Sequence, residues 1–370
     1  MSDAASALRH PPSNLIGGRW LPIAGEALRT TNPADPARTV FACAPSVAHV
    51  DEAVRAARAA LPAWSRTSRG RRFAVLRAFA DLAKARAAPM ADLICDEVGK
   101  ALWECKGEAG LLAGKVDITL ENSPNNAWTR VSDFELTLSA SRAGACRFRP
   151  HGVMAVIGPF NFPAHLANGH IVPALALGNT VVFKPSDKAM AVGQALVELF
   201  DEALRACDLP AQGAGVINLV QGGADVAAAL CAHPGLDAIA LTGSWPVGGK
   251  GLEANLDHPG RLIALELGGN NPTIVLDDAD LASAAIEITR CAFNTAGQRC
   301  TCTRRVIVQA GAAERLIPAL VRAARGLVIA PPRASPCFSG PLISRAAVDA
   351  VLSFQERARS AGARVLLEAR

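Results

Sequence analysis

Two residues in glycine-flanked turns carry the chemistry that a carbonyl substrate needs. They are the thiol of Cys300, in Gly297-Gln298-Arg299-Cys300-Thr301, and the carboxylate of Glu266, in Glu266-Leu267-Gly268-Gly269. A thiolate captures a carbonyl carbon, and a nearby carboxylate then activates water to release the acyl product. Gly297 allows the backbone to approach a substrate closely, and Arg299 with neighbouring amides favours the thiolate. Taken singly, each residue has a plainer reading. An isolated cysteine is more often part of a buried core, and Glu266, which follows the apolar run Leu262-Ile263-Ala264-Leu265, suits a salt-bridged strand end. At the end of a buried strand a carboxylate holds a proton more tightly, which suits a general base.

Three more segments bear on the same chemistry. In Pro159-Phe160-Asn161-Phe162-Pro163, the Asn161 amide can hold an oxyanion together with the Cys300 backbone N–H; capping the next helix is an equally natural role for it. Lys184-Pro185-Ser186-Asp187 ends an apolar strand, at the edge where nucleotides bind in parallel sheets. There Lys184 bonds ribose hydroxyls or phosphate, with Ser186 beside it. Asp187 accepts from a ribose and repels a 2′-phosphate, which favours NAD over NADP. Gly243-Ser244-Trp245-Pro246-Val247-Gly248 links a strand to a helix, so its amides and the helix dipole can cradle a pyrophosphate. Leu267 and Gly268 complete the expected cofactor-binding set. The continuation Gly249-Lys250-Gly251 misses the P-loop pattern, and no G-x-G-x-x-G occurs. Cys300-Thr301-Cys302 is not a CxxC and has no second pair, so no metal site is expected.

The surrounding pattern supplies elements to position these residues. Turn signals and short strands fill 14–45. Helical spacing follows through Val50, Val54, Ala57 and Leu61, then through Phe73, Leu76, Phe79, Ala80 and Ala83, with further helices over 89–98 and 103–120. Phe134, Leu136 and Leu138 alternate with polar residues, as in a half-exposed strand. Apolar strands at 153–157, 180–183, 216–219 and 238–241 alternate with helices at 163–177, 188–206, 224–232 and 247–256. This alternation predicts an α/β fold with a doubly wound parallel sheet. A second α/β unit follows Glu266: a strand at 273–276, helix 280–294, the Cys300 turn, a strand at 306–309, and helices at 312–325 and 342–361. Residues 364–367 read as a further strand.

The 370 residues are half hydrophobic and 19% charged, enough for a large core, and the net charge is only +5. Arginines scattered on amphipathic stretches argue against nucleic-acid binding. No apolar run approaches the ~20 residues of a membrane span, and the polar start, residues 1–12, has no leader pattern. Ten cysteines without a framework of spacings point to free thiols in a reducing cytoplasm. Cys95, Cys207 and Cys231 sit at apolar helical positions and read as core.

Together, Pro-Phe-Asn-Phe-Pro, Lys-Pro-Ser, Thr242-Gly243-Ser244, Glu-Leu-Gly-Gly and Gly-Gln-Arg-Cys resemble the NAD(P)-dependent aldehyde dehydrogenase superfamily, in its order and over the chain from about Leu15 onward. The resemblance implies an NAD-binding domain over 14–265, with a strand-like oligomerisation segment at about 131–149, and the N-terminal part of a catalytic domain over 266–370. It implies that Cys300 attacks the aldehyde, that Asn161 and the Cys300 amide stabilise the oxyanion, and that Glu266 activates water against the thioester. NAD and a small-molecule aldehyde are the implied cofactor and substrate. Arg149-Pro150-His151-Gly152-Val153, the run Asn168 to Leu175, and His170 in place of a common Lys are similar to a branch that oxidises a succinylated semialdehyde in arginine catabolism. Arg290 and Arg299 are candidates to grip that substrate's carboxylates. Family members continue past Arg370 through a Glu-x-Phe-Gly-Pro segment and a strand used in homo-oligomers, so the expectation is a catalytic domain without them. A broader-range aldehyde dehydrogenase and a non-catalytic NAD-binding chain are the other two readings.

Overall fold

A computed structural model describes residues 7–120, 128–209 and 213–369. The first six residues of the polar start and the terminal Arg370 fall outside the described residues. In chain order the elements begin with strands β1 (Ser13–Ile16), β2 (Arg19–Pro22), β3 (Leu28–Asn32) and β4 (Asp35–Cys43). Helices α1 (Ala48–Arg66), α2 (Arg69–Ala85), α3 (Ala87–Val98) and α4 (Leu102–Leu120) follow, then the hairpin β5 (Phe134–Ser139) and β6 (Arg142–Cys146). The alternating part comprises β7 (Val153–Ile157), α5 (His165–Ala176), β8 (Thr180–Lys184), α6 (Met190–Ala206), β9 (Ile217–Leu219), α7 (Ala224–Cys231), β10 (Ala238–Thr242), α8 (Trp245–Glu253) and β11 (Leu262–Glu266). Last come β12 (Asn271–Val275), α9 (Leu281–Phe293), β13 (Thr303–Val308), α10 (Ala310–Arg325) and α11 (Arg345–Ser360).

Seven strands form one sheet in the order β11-β10-β7-β8-β9-β1-β2. The first five are parallel, and β1 and β2 add antiparallel at the far edge. The strands are continuous apolar runs because helices cover both faces. Along β7, Val153, Ala155 and Ile157 point into the core shared with Val50, Val54 and Ala57 of α1 and with Val226 and Leu230 of α7. Val156 points to the opposite core, with Ile171 and Leu175 of α5, Leu196 and Phe200 of α6, and Phe79 of α2. Period-2 alternation thus feeds two separate cores from one strand. Phe79 and Phe200 stack with ring centroids 3.8 Å apart and neither is exposed. Phe79→Ala is expected to destabilise by about 3–5 kcal/mol, the range for deleting a fully buried aromatic ring. A urea midpoint unchanged from wild type would contradict this packing.

Strands β12 and β13 pair in parallel as a separate two-stranded sheet. Its core is small: Val275, Ala285, Ile288 and Leu316 are the buried members, with α9 and α10 supplying the helical side. The other face is open, with Ile274 65% and Ile307 51% exposed.

Three expectations need correcting. The run Leu262–Glu266 is a strand, but it is the edge strand beside β10, and both its ends are exposed. A run of four apolar residues does not reveal how many neighbours its strand will have. Residues 364–367 form no strand; apolar residues alone do not make one without a partner for the backbone. The alternation at Phe134–Ser139 does not bury one face, since every residue of β5 is exposed.

Candidate active site

The nucleophile's loop starts where α9 ends. Thr295, Ala296 and Gly297 follow in succession with φ of 55°, 53° and 72°, all left-handed, and they turn the chain back so that Cys300 lies exposed ahead of β13. Two non-glycine residues in that region, one of them β-branched, mark a strained segment held by its surroundings. Cys302, two residues on, points the other way: it is 1% exposed, and burial pushes its thiol above the ordinary value.

Asn161 meets this loop directly. Its Nδ2 donates to the Gln298 carbonyl at 2.7 Å, and its Oδ1 accepts from the Phe162 amide at 3.0 Å. It does not cap α5, whose N-cap position is Ala164. Arg299 also reaches this segment, with its guanidinium 5.1 Å from the Phe162 ring centroid, the spacing of a cation–π contact. Arg290 stays on the surface of α9, near Glu287 at 3.8 Å.

The Glu266 turn closes on Cys300 from the other side. Asn271 Nδ2 donates to the Cys300 carbonyl at 2.6 Å and to the Cys302 carbonyl at 2.9 Å. A Cβ on Gly269 would lie 2.7 Å from the Cys300 carbonyl oxygen, so only glycine lets these two turns touch. Glu266 itself is exposed at the end of β11, in register with Thr242 of β10, and its carbonyl accepts from the Gly243 amide at 2.9 Å. His170 of α5 reaches the same place, its Nε2 3.4 Å from Thr242 Oγ1. Burial holds the His170 imidazole below its usual value, while Glu266 pulls the other way.

The expected nucleotide-binding residues lie at the carboxyl ends of the parallel strands. Gly243 and Ser244, which join β10 to α8, and Trp245, Pro246 and Val247 of the first turn of α8 are exposed, with Gly248 buried beneath them. The Ser244 side chain makes no cap bond to α8, but the Val247 and Gly248 amides donate to the Ser244 carbonyl at 3.1 and 2.9 Å and Pro246 has no N–H, so what the helix start offers is the Trp245 amide and a partial positive charge. A Cβ on Gly248 would lie 2.9 Å from Leu267 Cδ2, which seats this helix start directly on the Glu266 turn; Gly268 beside it is exposed. Lys184 ends β8 almost fully buried, and its Nζ donates to the Pro185 carbonyl at 2.9 Å. Burial pulls its ammonium below the ordinary lysine value, and Asp187 and Asp225 oppose that. Ser186 Oγ donates to Asp187 Oδ1 at 3.3 Å. The positive helix start with its Trp245 amide, and a lysine with unused donors, fit a bound dinucleotide.

Sequence reasoning missed Lys100, Glu104 and Glu108, which lie behind the two loops at 3%, 8% and 1% exposure. Glu104 and Glu108 share a helix face with Cys105 and Leu112, so charges four apart on an apolar face were the available signal.

Residues 20–370 match the aldehyde dehydrogenase family model. The chain belongs to that family. It is 43% identical to the N-succinylglutamate 5-semialdehyde dehydrogenase of Chromobacterium violaceum, over 97% of this chain and 72% of that one. It is 46% identical to N-succinylglutamate 5-semialdehyde dehydrogenase 2 of Caulobacter vibrioides, over 90% of this chain and 67% of that one. The crystal structure of aldehyde dehydrogenase C from Pseudomonas syringae, in complex with NAD+ and octanal, superposes with a TM-score of 0.85 at 30% identity, covering 96% of this chain and 70% of that one. The aldehyde dehydrogenase fold is thus the scaffold here, and this is a family of oxidoreductases that act on small aldehydes. All ten cysteines are free, and among the described residues no helix is long and apolar enough to cross a membrane.

Proposed function

We propose that this chain oxidises N-succinyl-L-glutamate 5-semialdehyde to N-succinyl-L-glutamate, with NAD as the hydride acceptor. The observation that carries the chemistry is the contact of three turns: Asn161 on the Gln298 carbonyl, and Asn271 with Gly269 on the Cys300 carbonyl. The substrate follows the two relatives named above.

Cys300 attacks the aldehyde carbon as thiolate, and the Asn161 amide with the Cys300 N–H takes up the charge that develops on oxygen. NAD, when bound, supplies the acceptor that lets the resulting thiohemiacetal become a thioester. Glu266 then takes a proton from water, which attacks the thioester and frees Cys300. Lys184, Ser186 and Asp187 would hold the adenosine ribose, and Gly243 to Gly248 with Leu267 and Gly268 the pyrophosphate and neighbouring parts. Arg299, beside Phe162 and one residue from Cys300, is the better placed of the two arginines to meet a substrate carboxylate. Residues 14–265 serve as the NAD-binding domain, and 266–370 as the N-terminal part of the catalytic one. The exposed β5–β6 hairpin, within 131–149, is the surface for homo-oligomer contacts, supported by the outward Phe134, Leu136 and Leu138. The free thiols support a cytoplasmic setting.

The test is NADH formation with the succinylated semialdehyde against uncharged aldehydes of similar length. The expected result is a kcat/KM higher by about tenfold or more for the doubly charged substrate, roughly what one well-placed ionic hydrogen bond gives. Equal values would favour a broader-range aldehyde dehydrogenase. NAD binding without turnover would favour a non-catalytic chain.

A further inference from the structure

Behind the exposed site, one helix holds both of its loops. Glu104 and Glu108 are one turn apart on α4 and face the same way. Glu104 accepts twice from Thr295, through Oε2 from the backbone N–H at 3.1 Å and through Oε1 from the hydroxyl at 2.8 Å. Thr295 is the first of the three left-handed residues that deliver Cys300. Ser339 Oγ accepts from the next amide, Ala296, at 3.1 Å. Glu108 Oε1 accepts from the amides of Ala164 and His165 at the start of α5, both at 3.1 Å. Its Oε2 meets Lys100 Nζ at 2.6 Å, and Lys100 in turn donates to the Asn161 carbonyl at 3.1 Å, its ammonium 3.7 Å from the Phe162 ring centroid.

A buried carboxylate is costly unless its partners are fixed. Two of them in one turn, each spent on a different loop of the site, have a geometric product: the distance from Cys300 to Asn161. We propose that Glu104 is a positioning residue for Cys300, holding Thr295 in its left-handed conformation, and that Glu108 through Lys100 positions Asn161 in the same way. The inference rests on the assignment of Cys300 and Asn161 made above. Neither carboxylate touches substrate or cofactor in this account.

The full chain, as Glu104→Ala, Glu104→Gln and the double variant Glu104→Ala with Thr295→Asn, tests it. Acylation of Cys300 by p-nitrophenyl acetate needs no cofactor and is mapped by mass spectrometry, with exposed Cys291 as the internal control. Hydrogen exchange over 294–302 and over β7 and β8 reports the loop and the main sheet separately. Glu104→Ala is expected to slow Cys300 acylation about 10–100-fold relative to Cys291, the scale of a misplacement of about 1 Å. It also deprotects 294–302 while β7 and β8 stay protected. Glu104→Gln keeps one acceptor and loses less. Asparagine tolerates the left-handed region better than threonine, so Thr295→Asn added to Glu104→Ala recovers much of the rate. Wild-type acylation and protection in Glu104→Ala would overturn the inference. So would a slowed variant that Thr295→Asn does not restore while β7 and β8 remain protected. A wild-type chain that forms no NADH but acylates Cys300 removes the proposed function alone, and the variants still decide the role of Glu104.

Discussion

Cys300→Ala is expected to abolish aldehyde oxidation, with a fall in kcat on the order of 10⁵-fold or more, the scale of losing a covalent nucleophile. The loss has no local remedy. Cys302 is the nearest other thiol in sequence, but it is buried, its thiol is pushed upward mainly by that burial, and its amide is turned to the Arg299 carbonyl at 3.4 Å. Cys291 is exposed, but it sits on α9, before the left-handed turn that presents Cys300. NADH production by the purified variant is the measurement, and turnover within tenfold of wild type would sink the assignment of the nucleophile.

Glu266→Gln separates the two halves of the reaction. Amide for carboxylate keeps the size of the side chain and removes only the base. The first half, from aldehyde to thioester, proceeds, so NADH appears in a burst of about one equivalent per site. Steady turnover then falls roughly 10²–10⁴-fold, the usual contribution of a general base. Its neighbourhood suits this role. Burial holds His170 below its usual value while Glu266 pulls the other way, so the carboxylate faces the His170 side of α5. Rapid-mixing absorbance of NADH reads both phases. A variant with neither burst nor turnover places Glu266 before the chemical step instead, and one with normal turnover removes it from the reaction.

The parallel strands were legible because a strand covered on both faces is a continuous apolar run bounded by glycine, proline or charge. Residues 153–157 were delimited to the residue, and 180–183 and 238–241 to within one at the carboxyl end. What stayed hidden depends on partners distant in sequence. Leu262-Ile263-Ala264-Leu265 reads the same for a central strand and an edge strand, so the exposure of Glu266 could not be read from it. Val365, Leu366 and Leu367 have a strand's composition but form no strand among the described residues. The site motifs were legible as types and spacings, but their contacts were not. Nothing local announces that Thr295 adopts φ of 55°, since threonine is not a residue that signals a left-handed turn. Nor does a helix spaced Glu104-x-x-x-Glu108 declare that both carboxylates turn inward; the same spacing is common on solvated faces.

The two cores of the main sheet and the small core under β12 and β13 differ greatly in size, and the site straddles them. Asn161 and Lys184 stand on the thick side, whereas Cys300 stands on the thin one, whose core has Val275, Ala285, Ile288 and Leu316 as its buried members. Local opening is governed by the apolar surface that each part buries. On warming, the thiol is therefore expected to leave its place while the sheet that carries Asn161 is still intact. Heat inactivation is expected to precede melting, with NADH formation lost at temperatures where most of the circular dichroism is kept.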